Sequence, residues 1–213
     1  MKYIVAGLGH FGASLAQKLT AQGHEVIGID NRMHLVDLYK EKISHTICMD
    51  TTDELTVSGL PIEDTDIVIV SIGEEQGANV MTTAVFKNLQ AKRLISRAIN
   101  PLHEKVLQAI GVDEIVHPEE ETAERWAKKL CLENILDSFE LNDDYSVIKT
   151  TMPEEYIGKS IDEVKVYRRF NLLILSTIKK VEVKSFLGSK GTMSTIRKIA
   201  TPDLVFEKSD ILV

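Results

Sequence analysis

Gly7-Leu8-Gly9-His10-Phe11-Gly12 stands between an apolar run, Tyr3-Ile4-Val5-Ala6, and a helix-like segment, Ser14 to Gln22. The order is strand, glycine turn, helix. At such a turn Gly7 permits the tight bend, Gly9 lets backbone approach a pyrophosphate, and Gly12 lets the helix pack closely on the strand. The phosphates then meet unpaired N–H groups at the positive end of the helix dipole. A second apolar run, Val26 to Ile29, ends at Asp30, 23 positions after Gly7. That spacing is close to the roughly 20 expected for a carboxylate that receives ribose hydroxyls.

Working outward, strands and helices alternate. Met33 to Lys42 reads as a helix and Thr46 to Met49 as a strand that runs into Asp50. Glu54 to Leu60 is a short helix, and Asp66 to Ile72 is a continuous apolar run of the kind buried on both faces of a sheet. Asn79 to Leu89 (helix), Leu94 to Arg97 (strand), Leu102 to Ile110 (helix) and Glu114 to His117 (strand) complete the pattern before Pro118. The fold class is α/β: a Rossmann-like, doubly wound parallel sheet with right-handed crossovers. Ligands of such sheets lie beyond the carboxyl ends of the strands. Asp50-Thr51-Thr52, Ser71-Ile72-Gly73 and Arg97 stand at those ends. The first would serve an adenine or its ribose, although Asp50 or Thr52 could instead cap the next helix. Arg97 suits a terminal phosphate or, alternatively, a surface ion pair. Asp30 repels a 2′-phosphate and so disfavours NADP, with Arg32 nearby as the opposing charge.

After Pro118, Glu119 to Leu136 reads as one longer helix with Ala123, Trp126, Ala127, Leu130 and Cys131 on one face. Its acidic start, Glu119-Glu120-Glu121, complements the helix dipole, and a ligand role for one member is the alternative. From Ser138 the pattern changes to short β-branched runs (Tyr145 to Thr151, Leu172 to Ile178, Val181 to Phe186) with turns at Asn142-Asp143-Asp144 and Gly188 to Gly191. The expected domains are therefore 1–118, a linking helix over 119–137, and a small mixed domain over 138–213.

Composition narrows the functional classes. A formal charge of -7 argues against a general nucleic-acid binder, which needs a basic face. No apolar run approaches the ~20 residues of a membrane span, and no signal region precedes the first strand, so any action at a membrane needs a partner. Cys48 and Cys131 lack disulfide or metal spacing and read as buried thiols of a reducing compartment, with Cys48 filling core. His24, His34, His45, His103 and His117 show no ligand spacing and are expected mostly at the surface, whereas His10 lies inside the glycine turn, facing bound phosphate. Tyr145 and Lys149 form the Tyr-x-x-x-Lys pair that short-chain dehydrogenases use, but that chemistry needs both on one helix face, and the intervening Ser146-Val147-Ile148 is strand-like.

Several of these stretches together resemble the RCK (regulator of conductance of potassium) family, the TrkA/KtrA-type regulatory subunits of bacterial potassium uptake systems. The likeness rests on the Gly7 to Gly12 turn, the acid-tipped strand ending at Asp30, Asp50-Thr51-Thr52, Ile69 to Gly73, and Val112-Asp113-Glu114-Ile115-Val116-His117-Pro118-Glu119. Ile157-Gly158-Lys159-Ser160-Ile161 and Asn171-Leu172-Leu173-Ile174-Leu175 look like the smaller TrkA-C domain. The resemblance implies a non-enzymatic cytoplasmic sensor that binds an adenine nucleotide (NAD/NADH or ATP/ADP) without turning it over. It also implies dimers within a tetrameric or octameric ring and a membrane-embedded potassium-translocating partner. By position, Gly9 with Phe11 would meet the phosphates and Asp30 the ribose, with Gly7, His10, Gly12, Asn31 and Arg32 in the same nucleotide site. Asp50, Thr51 and Thr52 would take the adenosine end, with Ser71, Ile72, Gly73 and Asn79 completing the crevice. Arg97 would meet the outer phosphate, and Glu119 would help hold a divalent cation. His10 replaces an arginine found in ATP-binding relatives, which argues against a strong γ-phosphate preference. The stretch around Gly188 and the end at Val213 suggest an unusual or incomplete second domain. Competing expectations are an NAD-dependent oxidoreductase and a cyclic-dinucleotide sensor in the second domain, using Arg168 and Asn171. Replacing Asp30 by Ala is expected to weaken nucleotide binding and leave the fold intact, and the Trp126 helix is the candidate contact between subunits, with packing of that face within its own domain as the alternative.

Overall fold

Residues of the first strand, β1 (Lys2–Ala6), alternate between two cores. Ile4 and Ala6 join Ile29, Val68, Val70, Phe86 and Leu94 on one side. Tyr3 and Val5 join Leu8, Ala13, Ala16, Val26, Ile67 and Ile69 on the other. A strand apolar on both faces must be covered on both. The computed structural model, which describes residues 1–131, 134–142, 144–184 and 190–213, supplies that cover with helices. In chain order these elements are α1 (His10–Ala21), β2 (Glu25–Asp30), α2 (Met33–Tyr39), β3 (His45–Cys48), α3 (Glu54–Val57) and β4 (Ile67–Val70). Then come α4 (Gln76–Asn88), β5 (Leu94–Arg97), α5 (Pro101–Ile110), β6 (Glu114–Val116) and α6 (Pro118–Cys131). The six strands are all parallel, in the order β3-β2-β1-β4-β5-β6. Strand order reverses between β1 and β4, and this reversal opens a crevice beyond their carboxyl ends.

The chain divides into two compact units, Met1–Glu121 and Thr122–Val213, the division falling inside α6. In the second unit β7 (Ile135–Asn142), β8 (Tyr145–Thr151), β9 (Ser176–Lys184), β10 (Lys190–Ile199) and β11 (Asp210–Leu212) form an antiparallel sheet, ordered β10-β9-β11-β8-β7. Two short helices, α7 (Ile161–Val164) and α8 (Val166–Phe170), join Met152, Tyr156, Phe206 and Leu212 in its core. Ser160 and Glu163 cap α7 reciprocally, which fixes where it starts.

Three expectations need correction. The helix expected to reach Leu136 ends at Cys131, because Ile135 and Leu136 belong to β7, where Ile135 pairs with Thr150. Apolar spacing alone does not foresee that cross-strand pairing. Leu172 to Leu175 are not strand: Asn171, at φ 54°, closes α8 in the left-handed conformation, and the sheet resumes only at Ser176. Val181 then continues the same strand instead of starting another. Cys48 and Cys131 are both exposed, Cys48 because β3 is an edge strand. Among the histidines, expected mostly at the surface, His103 is buried, 3 % exposed. Asp143, Gly188 and Ser189, parts of the two expected turns, lie outside the described residues.

A candidate nucleotide cleft at the carboxyl edge of the parallel sheet

Gly7 leaves β1 at φ 98°, a conformation open to glycine, and its N–H donates to Ile29 O at 2.7 Å. The turn is thereby tied to the end of β2. Ser71, which is buried, holds it from the other side, with its hydroxyl 2.7 Å from Gly7 O and 3.0 Å from Ala6 O. Gly12 packs so tightly beneath that an added Cβ would stand 2.0 Å from Gly7 O and 2.2 Å from Ser71 Oγ. Helix α1 then begins behind Gly9 with no side chain capping it. Gly9, His10 and Phe11 at its start line the crevice, and the first N–H groups of a helix carry its partial positive charge.

Asp30 ends β2 nearly enclosed, its side chain 4 % exposed. Oδ2 accepts from Leu8 N at 2.8 Å, and Oδ1 accepts from Arg32 N at 2.9 Å and Arg32 Nε at 3.0 Å. Burial works against its charge. The hydrogen bonds from the Arg32 side chain and the Leu8 and Arg32 N–H groups, with the Arg32 charge, outweigh it and hold the carboxyl below its usual range. Arg32 reaches on to Glu74, Nη1 to Oε2 at 3.0 Å. After β3, Asp50 Oδ1 accepts from Thr52 N and Oγ1 at 2.9 and 2.8 Å, while Thr51 turns its hydroxyl inward to Thr82, 2.9 Å away. Neither Asp50 nor Thr52 caps α3; Asp53 does, accepting from Leu55 N.

On the far side Arg97 lies across Gly73, whose added Cβ would come 2.3 Å from Arg97 Nη1. A side chain there would displace the guanidinium. Arg97 pairs with Glu119 at the start of α6 and donates weakly to Ser71 O at 3.4 Å. Behind it Asn79, fully buried, donates to Ile72 O (2.8 Å) and Arg97 O (3.2 Å) and accepts from Ser96. Its Oδ1 lies 3.1 Å from His103 Nε2. Burial lowers the His103 pKa and so favours the neutral ring. The ends of β4 and β5 are therefore fastened to α4 and α5 from beneath.

One cleft of about 270 Å³ collects Gly7, Gly9, His10, Phe11, Asp30, Asn31, Arg32, Asp50, Thr51, Thr52, Ser71, Ile72, Gly73, Arg97 and Glu119. Gly12 and Asn79 are the two expected site residues that do not line it; one supports the turn and the other the strand ends. Glu74 lines the cleft and was not foreseen, although its place directly after the Gly73 strand end was the available signal. In the second unit a groove of about 280 Å³ brings Arg168 together with Lys165, Tyr167 and Leu172; Asn171 is not in its lining. Tyr145 and Lys149 both lie on β8, as strand residues.

Comparison with known proteins agrees with this fold. The TrkA-N domain model matches residues 3–118. The chain is 34 % identical over 182 residues to Ktr system potassium uptake protein C of Bacillus subtilis (strain 168), covering 85 % of this chain and 82 % of that protein. It is 33 % identical over 175 residues to Ktr system potassium uptake protein A of the same strain, covering 82 % and 79 %. Among solved structures, the GsuK channel bound to NAD superposes with a TM-score of 0.65 at 15 % identity, over 99 % of this chain and 36 % of that one. The chain belongs to the TrkA-N family, as a Ktr-type member of the RCK proteins.

Proposed function

We propose that the chain is a regulatory subunit that senses an adenine nucleotide in the cleft of its first unit and gates a membrane-embedded potassium-translocating partner. The observation that carries this reading is the convergence of the glycine turn, Asp30, Asp50 and Arg97 on one crevice in a member of this family. Ribose hydroxyls would donate to Asp30, phosphates would lie on the N-terminus of α1, and the outer phosphate would meet Arg97. The nucleotide acts by binding one state of an assembly better than another. The relatives' names, which describe potassium uptake proteins, support the partner. No helix among the described residues is long and apolar enough to cross a membrane, in keeping with a peripheral subunit that a partner holds at the cytoplasmic face.

No group of three or more His, Cys, Asp or Glu side chains able to hold a metal ion occurs among the described residues. Glu119 alone offers one carboxylate, already paired with Arg97. A divalent cation at that edge would depend on phosphate oxygens for its other ligands. Tyr145 and Lys149, as strand residues, do not share the helix face that the Tyr-x-x-x-Lys chemistry of short-chain dehydrogenases requires, and the oxidoreductase alternative loses its one candidate pair. A second reading, an anionic ligand such as a cyclic dinucleotide in the groove of the second unit, draws on the two cations Lys165 and Arg168 beside the exposed Tyr167.

Calorimetric titration of the purified protein with ADP, ATP, NAD, NADH and a cyclic dinucleotide, with and without a divalent cation, tests these assignments. Saturable, differential binding of adenine nucleotides that are recovered unchanged is expected. Turnover of NADH in the presence of candidate substrates would move the protein to the oxidoreductases.

We also assign contact between copies to α6. Trp126 is 51 % exposed and Leu130 75 %, and Ala123, Ala127 and Cys131 on the same stripe are exposed too. Within a single chain no residue of this helix is buried. An aromatic at the centre of such a face is the type of residue that dominates association. Trp126→Asp is expected to weaken self-association by about 100-fold or more and to leave far-UV circular dichroism unchanged. A variant that keeps the wild-type mass on light scattering would remove α6 from the interface.

A further inference from the structure

Arg32 is the cation that would ordinarily serve a 2′-phosphate at the ribose end of the cleft. It lies two residues beyond Asp30, where an arginine accommodates that group in 2′-phosphorylated dinucleotide sites. In this protein each of its guanidinium nitrogens already faces a carboxylate. Nε lies 3.0 Å from Asp30 Oδ1, Nη2 3.4 Å from Asp30 Oδ2, and Nη1 3.0 Å from Glu74 Oε2. Glu74 comes from the segment after β4, on the opposite side of β1 from β2 in the strand order. The ion pair thus ties the two segments that flank the glycine turn, and both residues line the cleft.

We propose that Glu74 is a specificity-determining residue: by occupying Arg32 it denies the cleft the cation that a 2′-phosphate would need. The proposal rests on the adenine-nucleotide reading of the cleft. Two carboxylates on one guanidinium leave a net negative charge beside the ribose. A 2′-hydroxyl can donate to Asp30 in that field, whereas a 2′-phosphate adds further negative charge to it. With Glu74 removed, Asp30 and Arg32 form a neutral pair. Nη1 of Arg32, released from Glu74, is then available to donate to a phosphate. Glu74 is highly exposed, its side chain 81 % accessible, so its truncation disturbs no packing.

The test titrates wild type, Glu74→Ala and Glu74→Ala/Arg32→Gln with two probe pairs that differ only in the 2′-phosphate: NADH against NADPH, and AMP against adenosine 2′,5′-bisphosphate. Wild type is expected to favour the 2′-hydroxyl member of each pair. Glu74→Ala is expected to shift the affinity ratio of each pair by about tenfold toward the 2′-phosphorylated member, and the double variant is expected to lose that gain. If the 2′-hydroxyl probes bind and Glu74→Ala keeps the wild-type ratio, the proposal is overturned and the cleft reading stands. A gain that survives in the double variant also overturns it, because Arg32 is then not the acceptor. Wild type that binds neither pair overturns the proposal, and the cleft reading falls with it when ADP, ATP and NAD also fail to bind.

Discussion

Replacing Gly12 by Ala is expected to destabilise the first unit by about 3 kcal/mol, the upper end of the usual overpacking range, and to lower its melting temperature by about 10 °C. The added methyl would meet backbone, Gly7 O at 2.0 Å, and Ser71 Oγ at 2.2 Å. Neither can retreat. Gly7 O belongs to the turn that Ile29 O pins through Gly7 N, and Ser71 is buried with its hydroxyl between Ala6 O and Gly7 O. Relief therefore requires α1 to lift from the end of β1, which opens the contacts of Ala13 and Ala16 with Val5 and Val26. Gly9 supplies the control. An added Cβ there meets nothing within 4 Å, so Gly9→Ala should melt as wild type while losing nucleotide affinity, because its methyl intrudes where phosphate approaches. Thermal unfolding followed by circular dichroism separates the two. A Gly12→Ala protein that melts with wild type would show that α1 is free to shift.

That contrast marks what the residue order could disclose. The three glycines, the apolar runs and the acid at Asp30 are local features, and they suffice for the parallel sheet and for most of one cleft. Hidden were the partners that residues acquire only through the fold. Arg97 and Gly73 are far apart in sequence, so nothing local says that the guanidinium lies on the glycine. Asn79 follows Gly73 closely and reads as part of the crevice, yet it points down to the His103 ring and the backbone of Ile72 and Arg97. His103 itself looks like a surface residue until α4 covers it. In the second unit the signals are weaker for a physical reason. Antiparallel pairing partners are set across the sheet, so the stretch from Ile135 to Leu136 can satisfy a helical spacing and still be claimed by β8.

Asp30→Ala is expected to reduce adenine-nucleotide affinity by about 100-fold or more, the loss of charge-assisted hydrogen bonds to the ribose hydroxyls. The geometry adds a cost that the motif does not announce. Asp30 also accepts the buried N–H of Leu8, and removing the carboxylate leaves that donor unsatisfied, at about 1–3 kcal/mol of stability. The fold is therefore not indifferent to this residue. Asp30→Asn does not restore it. Both oxygens of Asp30 accept, one from Leu8 and the other from Arg32, and an amide has a single oxygen for the two sets of donors. The pH dependence follows from the lowered pKa of the folded state. Because the folded carboxyl ionises more readily than the unfolded one, near 3.9, its contribution is complete above that value. It is lost as pH falls through the folded pKa. Urea unfolding of wild type and Asp30→Ala should then show a constant stability gap from pH 7 to about 5 that narrows below about 4. A gap that widened on acidification would mean that the Leu8 and Arg32 hydrogen bonds do not stabilise the charged form. Calorimetry on the same samples completes the argument: affinity that survives in Asp30→Ala would take the ribose away from β2 and leave Asp30 as the anchor of the glycine turn alone.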